Sequence, residues 1–517
     1  MPEAFLEALA LATDPWVILY VAIGVFMGVT LGAIPGLSGD MAIAILLPIV
    51  FFLEPASALG LLTGIYKGGM FGGSISGISF GVPGTPGAAA TTIDGYQAKL
   101  RGYPNKAMHT ALYSSVIGDT TSDLILIFVA LPLAIIALSF GPVEFFALYA
   151  FALLLISALT KGKIAKGVAM AALGILLSMI GRDPIGGSLR LTFGIPQLQG
   201  GLALIPVLVG VFAVSELIIQ LSDAWMRKAR QIMDDTRAKA ESLFEGYDAK
   251  ADRLSWAEFR GTLKATWIGT GMGTLIGALP GAGSSLAAFI SYGLAQRFSK
   301  NRDEFGKGSL EGVAGAEAGN SATSGSTLIP LFAFGIPGSA TAALFGAAFI
   351  LMGMTPGPRL IHDHTAIIYA LFIILIYANL VNLAMSKVLL PVYSKVAMIQ
   401  SRILLPIVCV LAILGTFAAG NSVVDVWVML AAGVLGVVLR IYGFPLAPLI
   451  LGFIVGPGAE RALRQSLLIG GGDWMHLLSS PIAIGLYATA AAMIFIFTVI
   501  LRDRKPAPAP EQKEPSR

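Results

Sequence analysis

Cysteine is nearly absent from this chain. Cys409 stands alone in an apolar run, which excludes an intrachain disulfide and a thiolate metal cluster. Histidine is almost as scarce. His109, His362, His364 and His476 are scattered, so the clustered nucleophile or metal arrangement of a membrane-embedded enzyme is missing and no catalytic residue is assigned. His362 and His364 flank Asp363, but a metal site needs further ligands, and the segment reads as a solvated loop. Charge is sparse too: only 12% of residues carry one, and no Lys or Arg occurs before Lys67. The net charge of +4 is modest and its bases sit at segment ends, where the positive-inside rule accounts for them without a nucleic-acid partner. The acidic start, with Glu3, Glu7 and Asp14, lacks the basic region of a cleavable signal, so the first hydrophobic segment is expected to remain.

What the chain has is apolar surface. Hydrophobic residues make up 56% of it, which only membrane solvent accommodates at this length. Long apolar stretches recur from Trp16 to Leu501, many near the roughly 20 residues that cross a bilayer core. Basic clusters at 99–106, 161–166, 227–264, 297–307, 387–402 and 502–505 are placed in the cytoplasm. Expected crossings are then 124–140, 142–159, 164–181 and 201–221 in a first half, and 366–386, 403–420, 424–440, 444–458 and 479–501 in a second. The N-terminus falls outside and the C-terminus inside. Arg182, Arg190, Arg359, Arg461 and Arg464 are left on the outer face without a reason.

Two apolar stretches do not fit single crossings. Trp267 to Gln296 lies between basic clusters and holds Leu279-Pro280-Gly281-Ala282-Gly283-Ser284-Ser285 at its centre, so it enters and leaves on one side as a re-entrant hairpin. Trp16 to Leu53 holds Gly32-Ala33-Ile34-Pro35-Gly36-Leu37-Ser38-Gly39, and its hairpin opens the other way. Downstream, Phe80-Gly81-Val82-Pro83-Gly84-Thr85 pairs with Phe334-Gly335-Ile336-Pro337-Gly338-Ser339. Matched anchors in one order define a repeat, and the opposed hairpins make it inverted, a transporter signature. The expected fold is all-α and polytopic, with two inverted-topology repeats (15–221 and 266–501), re-entrant hairpins and broken helices. A cytoplasmic linker spans 222–265, and a Pro-rich tail, 502–517, lacks the apolar surface to fold.

A broken helix leaves free N–H groups at one end and free C=O groups at the other, and within hydrocarbon a ligand can satisfy them. Gly36, Ser38, Gly84, Thr85, Gly281, Ser284, Gly338 and Ser339 are therefore substrate-binding candidates, with helix N-termini suited to carboxylates. Packing of helices through glycine is the competing account. Lys67, in a glycine-rich apolar run, joins the candidates as a counter-charge to a substrate carboxylate; it could equally snorkel to an interface or pair with Asp40. Asp40, Asp94, Asp119, Asp123, Glu311, Glu317, Asn320, Asn379 and Asn382 are the polar groups within apolar stretches. Glu317, Asn320 and Asp40 are taken as ion-coupling candidates, and Asp94 is expected in a salt bridge with the 99–106 cluster.

With these motifs together, the chain resembles the large membrane subunit of the tripartite tricarboxylate transporters, the TctA type. The likeness is carried by Gly32-Ala33-Ile34-Pro35-Gly36-Leu37, Gly72-Gly73-Ser74-Ile75, Thr92-Ile93-Asp94-Gly95-Tyr96, Gly277-Ala278-Leu279-Pro280-Gly281 and Gly335-Ile336-Pro337-Gly338, within residues 15 to 500 or so. The resemblance implies a secondary transporter of small tri- or dicarboxylates in the bacterial inner membrane. It also implies a periplasmic substrate-binding protein, a small four-helix-type membrane subunit, and Na⁺ or H⁺ as the coupling ion with no other cofactor. The chain departs from the family pattern at Lys67, Gly81 and Glu317 to Ser321, so the substrate is not carried over. A passive anion channel is the competing function, since helix dipoles and carbonyls serve there too.

Overall fold

The structure, a computed structural model, describes residues 2–34, 38–159, 164–183, 185–221, 252–396 and 401–495, with the backbone alone for 2, 221, 391–396 and 401–408. Gly36, most of the expected linker and the tail lie outside the described residues. Helices carry nearly all of the rest. The only strands among the described residues are a two-residue antiparallel pair, β1 (Gly181–Arg182) and β2 (Leu189–Arg190).

The first half runs α1 (Pro2–Ala12), α2 (Pro15–Gly32), α3 (Gly39–Val50), α4 (Pro55–Phe80), α5 (Ala89–Leu100), α6 (Pro104–Ala137), α7 (Pro142–Leu159) and α8 (Ile164–Ser178). After the strands come α9 (Leu204–Leu208), a π-helical turn (Val209–Val214) and α10 (Ser215–Leu221). The second half runs α11 (Trp256–Gly277), α12 (Gly283–Phe298), α13 (Leu310–Ser321), α14 (Thr323–Ser326), α15 (Ile329–Phe334), α16 (Ala340–Leu351), α17 (Leu360–Asp363) and α18 (Thr365–Val396). It closes with α19 (Ser401–Gly420), α20 (Val423–Ile441), α21 (Leu446–Ile469) and α22 (Pro481–Phe495). Among the described residues, α2, α6, α7, α18, α20 and α21 are long and apolar enough to cross a membrane. With the family match reported below, this is an all-α, multi-pass membrane protein.

Local chemistry sets most boundaries. Pro15, Pro55 and Pro104 open α2, α4 and α6, where a missing N–H costs nothing and a fixed φ helps. Ser38, Ser255, Ser309 and Ser339 cap α3, α11, α13 and α16 through side-chain oxygens that accept a backbone N–H. The segment expected to cross at 124–140 is only the end of α6, because nothing between Pro104 and Pro132 breaks the helix. Its 34 residues span about 51 Å, more than the hydrocarbon thickness.

Two details of the first half recur in the second. Helix α2 packs along α4 through Gly24 and Gly28, where an added Cβ would overlap the carbonyls of Leu61 and Ile65. Likewise α11 packs along α13 through Gly269 and Gly273, against the carbonyls of Gly315 and Gly319. Small residues let these backbones approach where lipid offers no hydrophobic drive. At the second break of each half the chain leaves its helix through a left-handed glycine, Gly81 (φ 71°) and Gly335 (φ 72°), a conformation costly for any residue with a Cβ. Three residues later the N–H of Gly84 donates to Gly73 O (3.0 Å) and that of Gly338 to Thr327 O (3.3 Å), the same eleven-residue reach back onto the preceding helix. At the centre, α4 and α6 of the first half pack on α13 and α18 of the second.

Candidate functional site

The breaks meet. A cavity of about 230 Å³ is lined by Ser38, Gly39 and Asp40 from the start of α3, Thr85 and Pro86 ahead of α5, Gly281 and Gly283 to Ser285 at the start of α12, and Ser339 to Thr341 at the start of α16. Residues at or just ahead of four helix N-termini thus face one space. Ser38 and Ser339 each cap their helix there, accepting from Met41 N (3.2 Å) and Ala342 N (3.1 Å). The second hairpin is tied to the fourth break by Gly281 N donating to Gly338 O at 2.8 Å. The rest of the wall comes from α4, the 323–327 segment, Ile156 of α7 and Ala447 of α21, and the hydroxyls of Tyr66 and Thr327 lie 3.3 Å apart. Thr85 Oγ1 is buried without a partner, a hydroxyl free to meet a ligand.

Charge in this cavity is one-sided. Among the described lining residues there is one acid, Asp40, whose carboxylate accepts from the Thr341 hydroxyl, and no base. Attraction for an anion therefore comes from helix N-termini and hydroxyls, and an anion seated here faces a carboxylate. The volume lies under the range of drug-sized pockets and suits a small organic ion.

Of the candidates read from the sequence, Ser38, Asp40, Thr85, Gly281, Ser284 and Ser339 line the cavity. Gly84 and Gly338 do not, their N–H groups being spent on the reach back to the preceding helix. Glu317 and Asn320, fully buried on α13, stand apart from the lining. Glu317 Oε2 accepts from the hydroxyls of Ser74 and Thr91, the latter at 2.8 Å, while Glu317 Oε1 and Asn320 Oδ1 are buried without partners. Asn320 sits against Gly87, where an added Cβ would overlap both its amide and Ser284 Oγ. These spare oxygens belong to the hard-donor class that holds monovalent and alkaline-earth cations.

Lys67 is also off the cavity wall. Its ammonium is fully buried and does not pair with Asp40; it binds Asp119 Oδ1 (2.5 Å), Asp123 Oδ1 and Oδ2 (2.8 and 2.7 Å) and Ser324 Oγ (2.9 Å). Asn379 Nδ2 donates to Asp123 Oδ2 at 2.8 Å, and Asn382 Nδ2 reaches Lys67 O at 3.4 Å. Asp119 and Asp123 were visible in the sequence as acids four apart on an apolar helix, a spacing that puts both on one face. Nothing local tied them to Lys67.

The salt bridge expected for Asp94 is replaced by other partners. Its carboxylate accepts from Gly308 N (2.8 Å), Ser309 N (2.9 Å) and the Tyr292 hydroxyl (2.9 Å), just ahead of α13. Free N–H groups at a helix start are held in place, whereas the nearby lysines are spent elsewhere: Lys99 donates to Ser79 O and Lys106 pairs with Glu258. Two of the unexplained outer arginines also find partners. Arg190 binds Glu460 through both terminal nitrogens (2.8 and 3.3 Å), and Arg464 binds Asp183 (2.9 Å) and Glu460 (3.2 Å). Backbone N–H groups of Ile185 and Gly186, with the Arg464 guanidinium, hold Asp183 well below the usual carboxylate range.

Broken helices meeting around a hydroxyl-lined cavity inside an apolar helical protein define a membrane transport component rather than a soluble enzyme. The sequence profile of the Tripartite tricarboxylate transporter TctA family matches residues 18–451, and the chain belongs to that family. It is 36% identical over 487 residues to an Agrobacterium vitis protein described as "Uncharacterized 52.8 kDa protein in TAR-I ttuC' 3'region", covering 94% of each chain. A second Agrobacterium vitis protein, "Uncharacterized protein in TAR-II ttuC' 3'region", is 37% identical over 224 residues, 43% of this chain and 93% of the relative. No solved structure matches.

Proposed function

We propose that this chain is the carrier subunit of a secondary transporter that imports small carboxylates, of the tri- or dicarboxylate type, across the bacterial inner membrane. It receives substrate from a periplasmic binding protein, works beside a small four-helix-type membrane subunit, and is coupled to a Na⁺ or H⁺ gradient. The single observation that carries this reading is the convergence of four helix N-termini on one cavity whose described lining residues include an acid and no base. Helix ends and the hydroxyls of Ser38, Thr85, Ser284 and Ser339 take the substrate carboxylate. Because Asp40 faces that anion, a cation or proton must enter with it, and Asp40, Glu317 and Asn320 are the groups with oxygens to receive one.

In this reading the two halves lie in the membrane with opposite orientation, the N-terminus in the periplasm and the C-terminus in the cytoplasm. The cavity-forming segments move against the remaining helices in an elevator-like way. The test is transport in proteoliposomes that contain the complete tripartite system. Saturable counterflow of a labelled carboxylate is expected, with net accumulation only under an imposed ion gradient. Accumulation without any gradient would sink the coupling. Flux that neither saturates nor exchanges would favour the passive channel.

A further inference from the structure

We infer that Lys67, Asp119 and Asp123 form a proton-carrying site, in which the two carboxylates hold one exchangeable proton between them and release it during each transport cycle. This deepens the transporter reading above and rests on it.

The first support is a charge count in a dry place. Lys67 and Asp123 are 0% exposed and Asp119 is 1% exposed. An ammonium has three N–H groups, and here one meets Asp119, one the carboxylate of Asp123 and one Ser324. With both acids ionised the cluster carries one positive and two negative charges, a surplus of one negative charge buried away from bulk solvent. A proton on either carboxylate brings it to neutrality.

Among the described residues, the elements packed on α6 supply no other counter-charge, and Lys387 of α18 is exposed. Helix α4 presents Tyr66 beside Lys67 and carries no second base. Helices α13 to α15 carry Glu311 and Glu317 and no base, and the stretch of α18 facing Asp123 offers the amides of Asn379 and Asn382. The bases Arg260 and Lys264 of α11 lie toward its start, before Thr266, which meets Ser114 a full turn ahead of Asp119. On α5, Lys99 is bound to Ser79 O and Asp94 to the loop ahead of α13. Across the cavity, Asp40 adds negative charge rather than relieving it.

An independent observation points to the proton itself. Asn379 is fully buried and its Nδ2 donates to Asp123, yet its Oδ1 has no partner. An amide can serve both states of a carboxyl group: the N–H₂ donates to the ionised form, and after rotation the oxygen accepts from the protonated form. The Asn379 oxygen, with no protein partner, is available to accept from a protonated Asp123. In each cycle one O–H bond forms on a carboxylate with a proton taken from water on one side of the membrane. The same bond breaks when the proton is given to water on the other side.

The cluster is placed to sense substrate. Tyr66 and Thr323 line the cavity, and their chain neighbours Lys67 and Ser324 hold the cluster directly behind that wall. Movement of the wall on binding or release therefore shifts the ammonium that the two carboxylates share.

The experiment uses the complete tripartite system in proteoliposomes with a pH-sensitive dye in the lumen and Na⁺ either present or replaced. For the wild-type protein, carboxylate uptake is expected to acidify the lumen and to be driven by an imposed pH gradient. Asp119→Asn and Asp123→Asn, close isosteres, should retain counterflow while losing both acidification and accumulation above the external concentration. Wild-type uptake driven by Na⁺ alone with no acidification overturns the proposal, as does unchanged acidification and accumulation in both variants. The wild-type result decides even if a variant fails to insert. Absence of saturable counterflow in the wild type would instead remove the transporter reading, and the two failures are distinguishable.

Discussion

Two charged clusters in this molecule use the same functional groups in opposite settings. Lys67, Asp119 and Asp123 sit in the packed centre, where α4 and α6 meet α14 and α18, with no solvent and a surplus of acid. Asp183, Arg190, Glu460 and Arg464 sit beside the 181–190 hairpin, with two acids matched to two bases and water within reach. In the second cluster any member can be lost and the remainder resolvated. In the first, Lys67 is the one base bound to two acids, so what matters is the charge left behind rather than the bond removed.

The largest effect is expected for Lys67→Met, which leaves two buried carboxylates without a cation. Stability should fall by about 3–5 kcal/mol or the protein should fail to insert, read by thermal melting and gel filtration in detergent. Asp123→Asn should cost less, because it leaves one base and one acid; if it melts lower than Lys67→Met, the charge count is wrong. Next comes the amide donor: Asn379→Leu removes the amide from Asp123 while keeping volume, and should cost about 1–3 kcal/mol by leaving the carboxylate one donor short.

The outer cluster should respond least. Arg464→Gln is expected to leave the melting temperature within error at physiological salt, and any difference at low salt should vanish as salt is added. Its pH dependence has a definite sign. Because Asp183 is held below its ordinary value, its contribution is complete above the unfolded carboxylate pKa of about 3.9 and is lost only as pH falls through the lower folded value. Wild type and Asp183→Asn should therefore differ by a constant amount from pH 8 to pH 5 and converge below pH 4. Convergence already at pH 6 would place Asp183 in a different environment.

Much of the site was legible because helix breaks are local. Pro35-Gly36, Pro83-Gly84, Pro280-Gly281 and Pro337-Gly338 announce where the ladder of N–H and C=O groups is interrupted, and five of the candidates drawn from these breaks line the cavity. The acids were harder. Asp40, read as a polar group within an apolar stretch, also lines the cavity, whereas Asp119 and Asp123 lie in an unbroken helix and are no different in sequence from Asp94, whose partners are a helix start and a tyrosine. Arg190 and Arg464 appeared as violations of a charge rule until Asp183 and Glu460 were seen beside them.

The sequence by itself determined the membrane solvent, the all-α class and the family, because hydropathy, proline and glycine act within a few residues of where they stand. Only the tertiary structure decided that the breaks from both halves share one cavity, that Lys67 belongs to Asp119 and Asp123 rather than to Asp40, and that Asn379 keeps a free acceptor beside them. Those pairings join positions 52, 56 and 256 residues apart, where the chain's own stereochemistry has no reach and only packing can choose the partner.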